Sequence, residues 1–283
     1  METTFICVES MEYLKNLGFE ISYVNILDNG LIDIDDLKRH IRNDTILISI
    51  GYVNSEMGIM QPIKEIGALI KKHPRIYFHV DGTQAIGKIN IDLTNIDLFS
   101  FSAHKIYGLK GIGCLYKREN IELENLIHGG KSQSIYRGGT PPVALIVSFA
   151  KALRLSLENI ETNYEHVLKL NKLLKNSLSN YKYITINSND NCIPHILNIS
   201  IIGVKSETFL HALEKHDIYV STQTACSESF DPSKTIMAVY HDKARAISTI
   251  RISISYKTTK EEIDLFLKYF DVEYNDLKFM MGE

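Results

Sequence analysis

The stretch Ser100-Phe101-Ser102-Ala103-His104-Lys105 decides how this chain is read. An apolar, strand-like run from Leu98 to Ser102 ends in small and polar residues and then delivers a lysine. Upstream, His79-Val80-Asp81-Gly82-Thr83-Gln84 closes another strand-like run with a carboxylate. Further apolar, β-rich runs at 45–53, 75–80 and 113–117 alternate with helical or loop segments, the pattern of a buried, largely parallel sheet in an α/β domain. Ligands of such sheets gather at the carboxyl ends of the strands, where Asn54, Asp81 and Lys105 fall.

An acid and a lysine at two neighbouring strand ends suggest one chemistry. A lysine amine can hold pyridoxal phosphate as a Schiff base, while a carboxylate beside the pyridine nitrogen keeps that nitrogen protonated and makes the ring an electron sink. Asp81 and Lys105 suit these roles, and Ser102 and His104 can donate hydrogen bonds to a phosphate. Each residue alone has an ordinary explanation: a lysine after a strand is commonly solvated, and an aspartate there commonly caps a turn or helix. The far half of the chain discriminates. Tyr219-Val220-Ser221-Thr222-Gln223-Thr224-Ala225-Cys226-Ser227 sets a cysteine in a polar, small-residue loop, and Ser248-Thr249-Ile250-Arg251-Ile252-Ser253 follows as a strand bearing an arginine.

Composition fits a soluble enzyme. The 283 residues are 45% hydrophobic and 23% charged, enough for one large or two modest cores. A net charge of -3 gives no electrostatic reason to expect nucleic acid or an acidic membrane as partner. The apolar runs are too short for a membrane span, no signal peptide opens the chain, and the reading is cytoplasmic. Cys7, Cys114, Cys192 and Cys226 lack the paired spacing of metal ligands, so no metal is expected, and Cys114 in its apolar run reads as a small core residue. An amphipathic stretch from about Pro142 to Leu178 leads away from the first sheet. Beyond it, strand runs at 196–202 and 248–255 alternate with helices at 206–216 and 259–269.

The ordered set of Asp-Gly-Thr-Gln at 81–84, Ser-Ala-His-Lys at 102–105, Arg-Gly-Gly-Thr at 137–140, Ala-Cys-Ser at 225–227 and Ser-Thr-Ile-Arg at 248–251 resembles the cysteine desulfurases of the NifS/IscS group. These are class V, fold-type I pyridoxal phosphate enzymes, and the resemblance runs from about Gly18 to about Leu265. It implies an α/β fold: the mostly parallel sheet of a fold-type I transferase large domain, truncated at its N terminus, plus a smaller C-terminal α/β domain. The division expected is residues 1–155 for the partial cofactor-binding domain and 156–283 for the small domain with the cysteine loop.

The resemblance also implies roles. Lys105 would carry pyridoxal 5'-phosphate, Asp81 would pair with its ring nitrogen, Gln84 would contact the ring oxygen, and Ser102 and His104 would hold the phosphate. Thr140 stands where family members reach the phosphate across a homodimer interface. Arg251 would bind the α-carboxylate of L-cysteine as a planar, bidentate donor, and Ser55 occupies a position that contacts cofactor or substrate. Cys226, as a thiolate, would take the sulfur as a persulfide, L-alanine would leave, and the sulfur would pass to an acceptor protein, an iron–sulfur scaffold or a tRNA thiolation enzyme.

Departures from the family pattern are equally specific. Family members usually begin earlier, with a glycine- and threonine-containing loop that cradles the phosphate. Thr4 stands where the family has a histidine that stacks on the ring, Ser55 replaces an asparagine, and Lys131 and Gln133 replace a glycine and an acid after His128-Gly129-Gly130. The expectation is a truncated desulfurase whose large domain leaves apolar surface uncovered, poorly soluble or dependent on another chain. The alternatives are a non-catalytic relative acting as an interaction protein, or another class V enzyme such as a selenocysteine lyase or aminotransferase.

Overall fold

The computed structural model describes residues 5–130, 134–222 and 232–281; Thr4, Lys131, Gln133 and Cys226 lie outside the described residues. In chain order the elements are α1 (Phe5–Asn16), α2 (Ile34–His40), β1 (Leu47–Gly51), α3 (Ile63–Ile70), β2 (Tyr77–Asp81), β3 (Leu98–Ser102), β4 (Gly113–Lys117), α4 (Val143–Glu158), α5 (Ile160–Leu178), β5 (Ile184–Ile186), β6 (Ile196–Ile201), α6 (Ser206–Glu214), α7 (Lys234–Tyr240), α8 (Lys243–Ile247), β7 (Thr249–Ser253) and α9 (Lys260–Asp276). They fall into two compact units. One comprises Asp44–Ile50 and Ile63–Ile160; the other comprises Met1–Asn43, Gly51–Pro62 and Glu161–Glu283.

The first unit is built on a four-stranded sheet in the order β1-β2-β3-β4. Strands β2 and β3 run parallel with Asp81 opposite Ser100, and β4 closes the order antiparallel to β3. Side chains alternate across a strand. Phe78, Val80, Phe99 and Phe101 therefore share one face and are buried, with the Phe149 ring of α4 edge-on to Phe101 at 5.4 Å. His79, Asp81, Ser100 and Ser102 take the opposite face. Burying a phenyl group such as Phe78 contributes about 1.5–3 kcal/mol, which is what holds this polar face in a fixed register. Cys114 is exposed, contrary to its reading as a core residue, because β4 is the last strand in the order and Gly113, Cys114 and Leu115 are all uncovered.

The second unit centres on the antiparallel sheet β5-β6-β7, in which Asn198 pairs with Arg251. Leu197, Ile199, Ile201, Ile250, Ile252 and Ile254 form one face and join a core with Phe209, Phe266 and Phe270 from α6 and α9. Asn198, Ser200, Thr249 and Arg251 form the other. The turn at Gly51–Pro62 belongs with this unit because Ser188 Oγ and the Ile193 N–H donate to the Met57 and Gly58 carbonyls, each at 2.8 Å, and the Met60 N–H donates to the Asn191 carbonyl at 2.8 Å. A division at 155/156 would separate these partners.

Two helical segments differ from the sequence reading. The stretch 142–178 is two helices, interrupted at Asn159, whose backbone (φ -120, ψ 20) leaves the helical region. Helix α9 continues past Tyr269 to Asp276, since Phe270, Glu273 and Tyr274 extend its buried stripe. Its start carries a capping box, with Thr259 and Glu262 exchanging side-chain and backbone hydrogen bonds.

Candidate active-site residues

Asp81 is the last residue of β2 and is 6% exposed. Its Oδ1 accepts the Thr83 N–H at 2.9 Å, so the carboxylate is oriented by the turn it starts. Gly82 is required next: a Cβ there would lie 1.8 Å from the tip of the Phe99 ring. Gln84 is half-buried and accepts Lys88 Nζ at 2.8 Å.

Lys105 sits on a 3-10 turn, Ala103–Ile106, at the end of the neighbouring strand. Ala103 and Ile106 are buried and anchor the turn three residues apart, while His104 and Lys105 between them are exposed. Tyr107 ends the turn in the left-handed region (φ 64), returning its N–H to the Ala103 carbonyl. The Ser102 side chain makes no capping bond to the turn it precedes. Desolvation first, and then the positive charges of Lys105 and Lys110, hold the His104 imidazole below its ordinary value, which marks this turn as electropositive. A buried carboxylate at one strand end and a cationic turn with an uncommitted capping hydroxyl at the next suit a group that carries a protonatable ring nitrogen at one side and a phosphate at another. Pyridoxal phosphate is such a group. Thr140 is exposed on a separate loop, where the Gly138 N–H donates to the Ile127 carbonyl at 2.9 Å and Gly139 adopts φ +98.

The residues expected to meet the substrate lie in the other unit, around β7. Arg251 Nη1 donates to the Ser55 carbonyl at 3.0 Å and Nη2 to Ser221 Oγ at 3.1 Å, while the buried Nε has no hydrogen-bond partner among the described residues. It is thus the backbone of Ser55 that meets the arginine. An arginine whose Nη atoms meet only neutral oxygens among the described residues is suited to an incoming carboxylate, which its fork can bind in their place. Burial holds the Arg251 guanidinium below its usual value, with Glu56 opposing that shift.

Glu56 was not singled out from the sequence. It is 4% exposed, its carboxylate accepts the Ser233 hydroxyl, and its backbone carbonyl accepts Asn198 Nδ2 at 3.2 Å. Burial raises its carboxyl above the usual range, against the opposing Ser233 and Thr235 hydrogen bonds and the charge of Arg251. Both members of this charged pair are therefore moved toward their neutral forms: desolvation outweighs their attraction. Beneath them lies a polar network of side chains. Asn187 Nδ2 donates to Asn198 Oδ1 at 2.7 Å and to Ser200 Oγ at 2.8 Å, Thr249 Oγ1 donates to Asn198 Oδ1 at 2.6 Å, and Arg245 donates through Nε and Nη2 to Asn187 Oδ1 at 3.1 and 2.8 Å. The sequence signal was the alternation of polar and apolar residues in Asn198 to Ile201 and Thr249 to Ile252, which ordinarily means a solvated face. No cluster of three potential metal ligands occurs among the described residues.

Residues 3–266 match the aminotransferase class-V family. The chain belongs to that family, on the branch of the NifS/IscS cysteine desulfurases. It is 42% identical over 262 residues to the cysteine desulfurase IscS of Buchnera aphidicola subsp. Acyrthosiphon pisum (strain 5A), covering 90% of this chain and 64% of the relative. To the cysteine desulfurase IscS of Vibrio cholerae serotype O1 (strain M66-2) it is 40% identical over 279 residues, covering 96% of this chain and 68% of that one. Among solved structures, a NifS-like protein superimposes with a TM-score of 0.88 at 33% identity, covering 95% of this chain and 72% of its own. The chain thus spans about two thirds of the length of these relatives.

Proposed function

We propose that this protein is a pyridoxal phosphate-dependent cysteine desulfurase, converting L-cysteine to L-alanine and carrying the sulfur as a persulfide on Cys226. The observation that carries this reading is the pair of adjacent strand ends, β2 presenting buried Asp81 and β3 presenting the Lys105 turn, within a NifS-like fold. Bound there, the cofactor supplies an electron sink for the negative charge that develops at the substrate Cα. Asp81 would hold the proton of the ring nitrogen, Gln84 would contact the ring oxygen, and Ser102, His104 and a Thr140 hydroxyl would receive the phosphate. Arg251 orients the α-carboxylate, the guanidinium fork matching its two oxygens.

Lys105 Nζ takes the Cα proton of the substrate as general base and returns a proton when the product forms. The Cys226 thiolate attacks the substrate sulfur: an S–S bond forms, the Cβ–S bond breaks, and the electron pair left on carbon is protonated to give alanine. Cysteine and an enzyme thiol therefore become alanine and an enzyme persulfide, with no external oxidant. The persulfide then passes to a sulfur-acceptor protein of iron–sulfur cluster assembly or tRNA thiolation.

A homodimer belongs to this reading. In the four-stranded unit Leu126 is 95% exposed, and Ile127, Ile135, Val143 and Val147 are also exposed, an apolar surface of the kind a second copy covers. No helix among the described residues is long and apolar enough to cross a membrane. A cytoplasmic setting is proposed because persulfide chemistry needs free thiols.

The test is the visible absorbance of the purified chain with pyridoxal phosphate and then L-cysteine, alongside alanine release. A yellow band lost in Lys105→Ala, with alanine formed by the wild type and not by Cys226→Ala, is the expected result. Alanine release surviving in Cys226→Ala would point to a different class V reaction, and no band in the wild type would point to a non-catalytic relative.

A further inference from the structure

Among the polar groups that the proposed chemistry leaves unused, half-buried His79 occupies a distinctive place. It lies two residues before Asp81 on β2, so the two side chains leave the same face of the strand. Its Nδ1 is 2.7 Å from Ser49 Oγ on β1, and its Nε2 is 2.9 Å from Ser100 Oγ on β3. A serine–histidine–serine chain therefore runs across three strands next to the carboxylate. A hydroxyl can donate or accept, so two hydroxyls complete a neutral imidazole in either tautomer without supplying any charge.

Asp81 is the charged group that acts on His79, from its own strand; β1 and β3 contribute the neutral Ser49 and Ser100. The two influences on the ring oppose each other. Burial disfavours the imidazolium and Asp81 favours it, and burial is the larger, leaving the imidazole below its ordinary value of 6.5. A cation at this position would pair with Asp81, lower the proton affinity of its carboxylate, and compete with any ring nitrogen protonated against it.

We infer that His79 is a positioning residue for Asp81: held as a neutral ring between Ser49 and Ser100, it fixes the strand end that presents the carboxylate and leaves that carboxylate's charge uncompensated for a protonated pyridine nitrogen. This rests on the cofactor reading above.

The experiment uses the 283-residue chain in two measurements. NMR titration of the His79 imidazole in the cofactor-free wild type gives a midpoint below 6.5 if the inference holds. The visible band then reports the dissociation constant for pyridoxal 5'-phosphate at pH 7. His79→Lys, which forces a cation beside Asp81, raises that constant at least about tenfold, some 1.4 kcal/mol, whereas His79→Gln, an uncharged donor and acceptor, stays within about threefold. An imidazole that is protonated at pH 7, a Gln variant as weak as the Lys variant, or variants that melt earlier with unchanged affinity each overturn the inference. Should the Lys variant not fold, the wild-type titration still decides. A wild type with no Lys105-dependent band removes the cofactor reading and this inference together; a wild type with the band but a cationic His79 removes this inference alone.

Discussion

On the four-stranded sheet, Lys105 and His104 sit exposed on a short turn past the end of β3; on the three-stranded sheet, Arg251 sits within β7, its Nη atoms bonded to Ser55 and Ser221 and its Nε without a partner among the described residues. The first arrangement is held by backbone. Buried Ala103 and Ile106 pin the turn, and left-handed Tyr107 closes it through its own N–H. The second is held by side chains: Glu56, Asn187, Asn198, Ser233 and Thr249 are all buried and satisfy one another. Chemistry and stability are therefore separable in one unit and coupled in the other.

The largest effect that would break this contrast is at Lys105. Lys105→Ala abolishes cofactor-dependent turnover while changing unfolding stability by no more than about 0.5 kcal/mol, as for other exposed positions, and a denaturant titration beside the absorbance assay checks both halves. A loss of several kcal/mol would mean that the turn depends on the lysine after all.

Asn187→Ala is the converse case. The side chain is fully buried and serves Asn198, Ser200 and Arg245, so its removal leaves both donors and acceptors without partners. A cost of about 2–4 kcal/mol is expected in urea unfolding, although no proposed reactive group is touched. A near-neutral result would show that this network is solvated rather than structural.

Glu56→Gln gives the smallest effect and sharpens the comparison through pH. The folded state keeps the Glu56 proton above the ordinary carboxylate value of 4.5, where the unfolded chain has released it. Between those two values the native state binds more protons, so this group's contribution is complete below 4.5 and is lost as pH rises through the raised folded value. The gap between wild-type and Glu56→Gln melting temperatures should therefore move in favour of the variant as pH rises through that window. A gap independent of pH would place Glu56 in contact with more solvent than its burial indicates.

Much of the four-stranded unit is legible in the amino-acid sequence. Strands β3 and β4 fall where the apolar runs at Leu98 and Gly113 put them, and β2 carries its carboxylate at its end, because β-branched and aromatic runs punctuated by glycine are a local signal. The exposure of Cys114 is not legible there, since an apolar run states what a strand prefers and says nothing of whether another element covers it. The polar face of β6 and β7 is illegible for the complementary reason. Its alternation is the same whether the polar side chains meet water or one another, and only the return of Gly51–Pro62 and of α7 and α8 onto that side buries it.

The sequence by itself determined the family, the order of the site-bearing strand ends, and the identity of Asp81, Lys105 and Arg251 as the residues to watch, because each lies in a short motif whose turn chemistry is set by its immediate neighbours. Only the tertiary structure decided that His79 is held by two serines, that Glu56 is a buried carboxylate, and that Arg251 bonds the Ser55 carbonyl and the Ser221 hydroxyl. The charge and hydrogen bonding of these groups depend on desolvation by residues far away in sequence, and desolvation has no local signature.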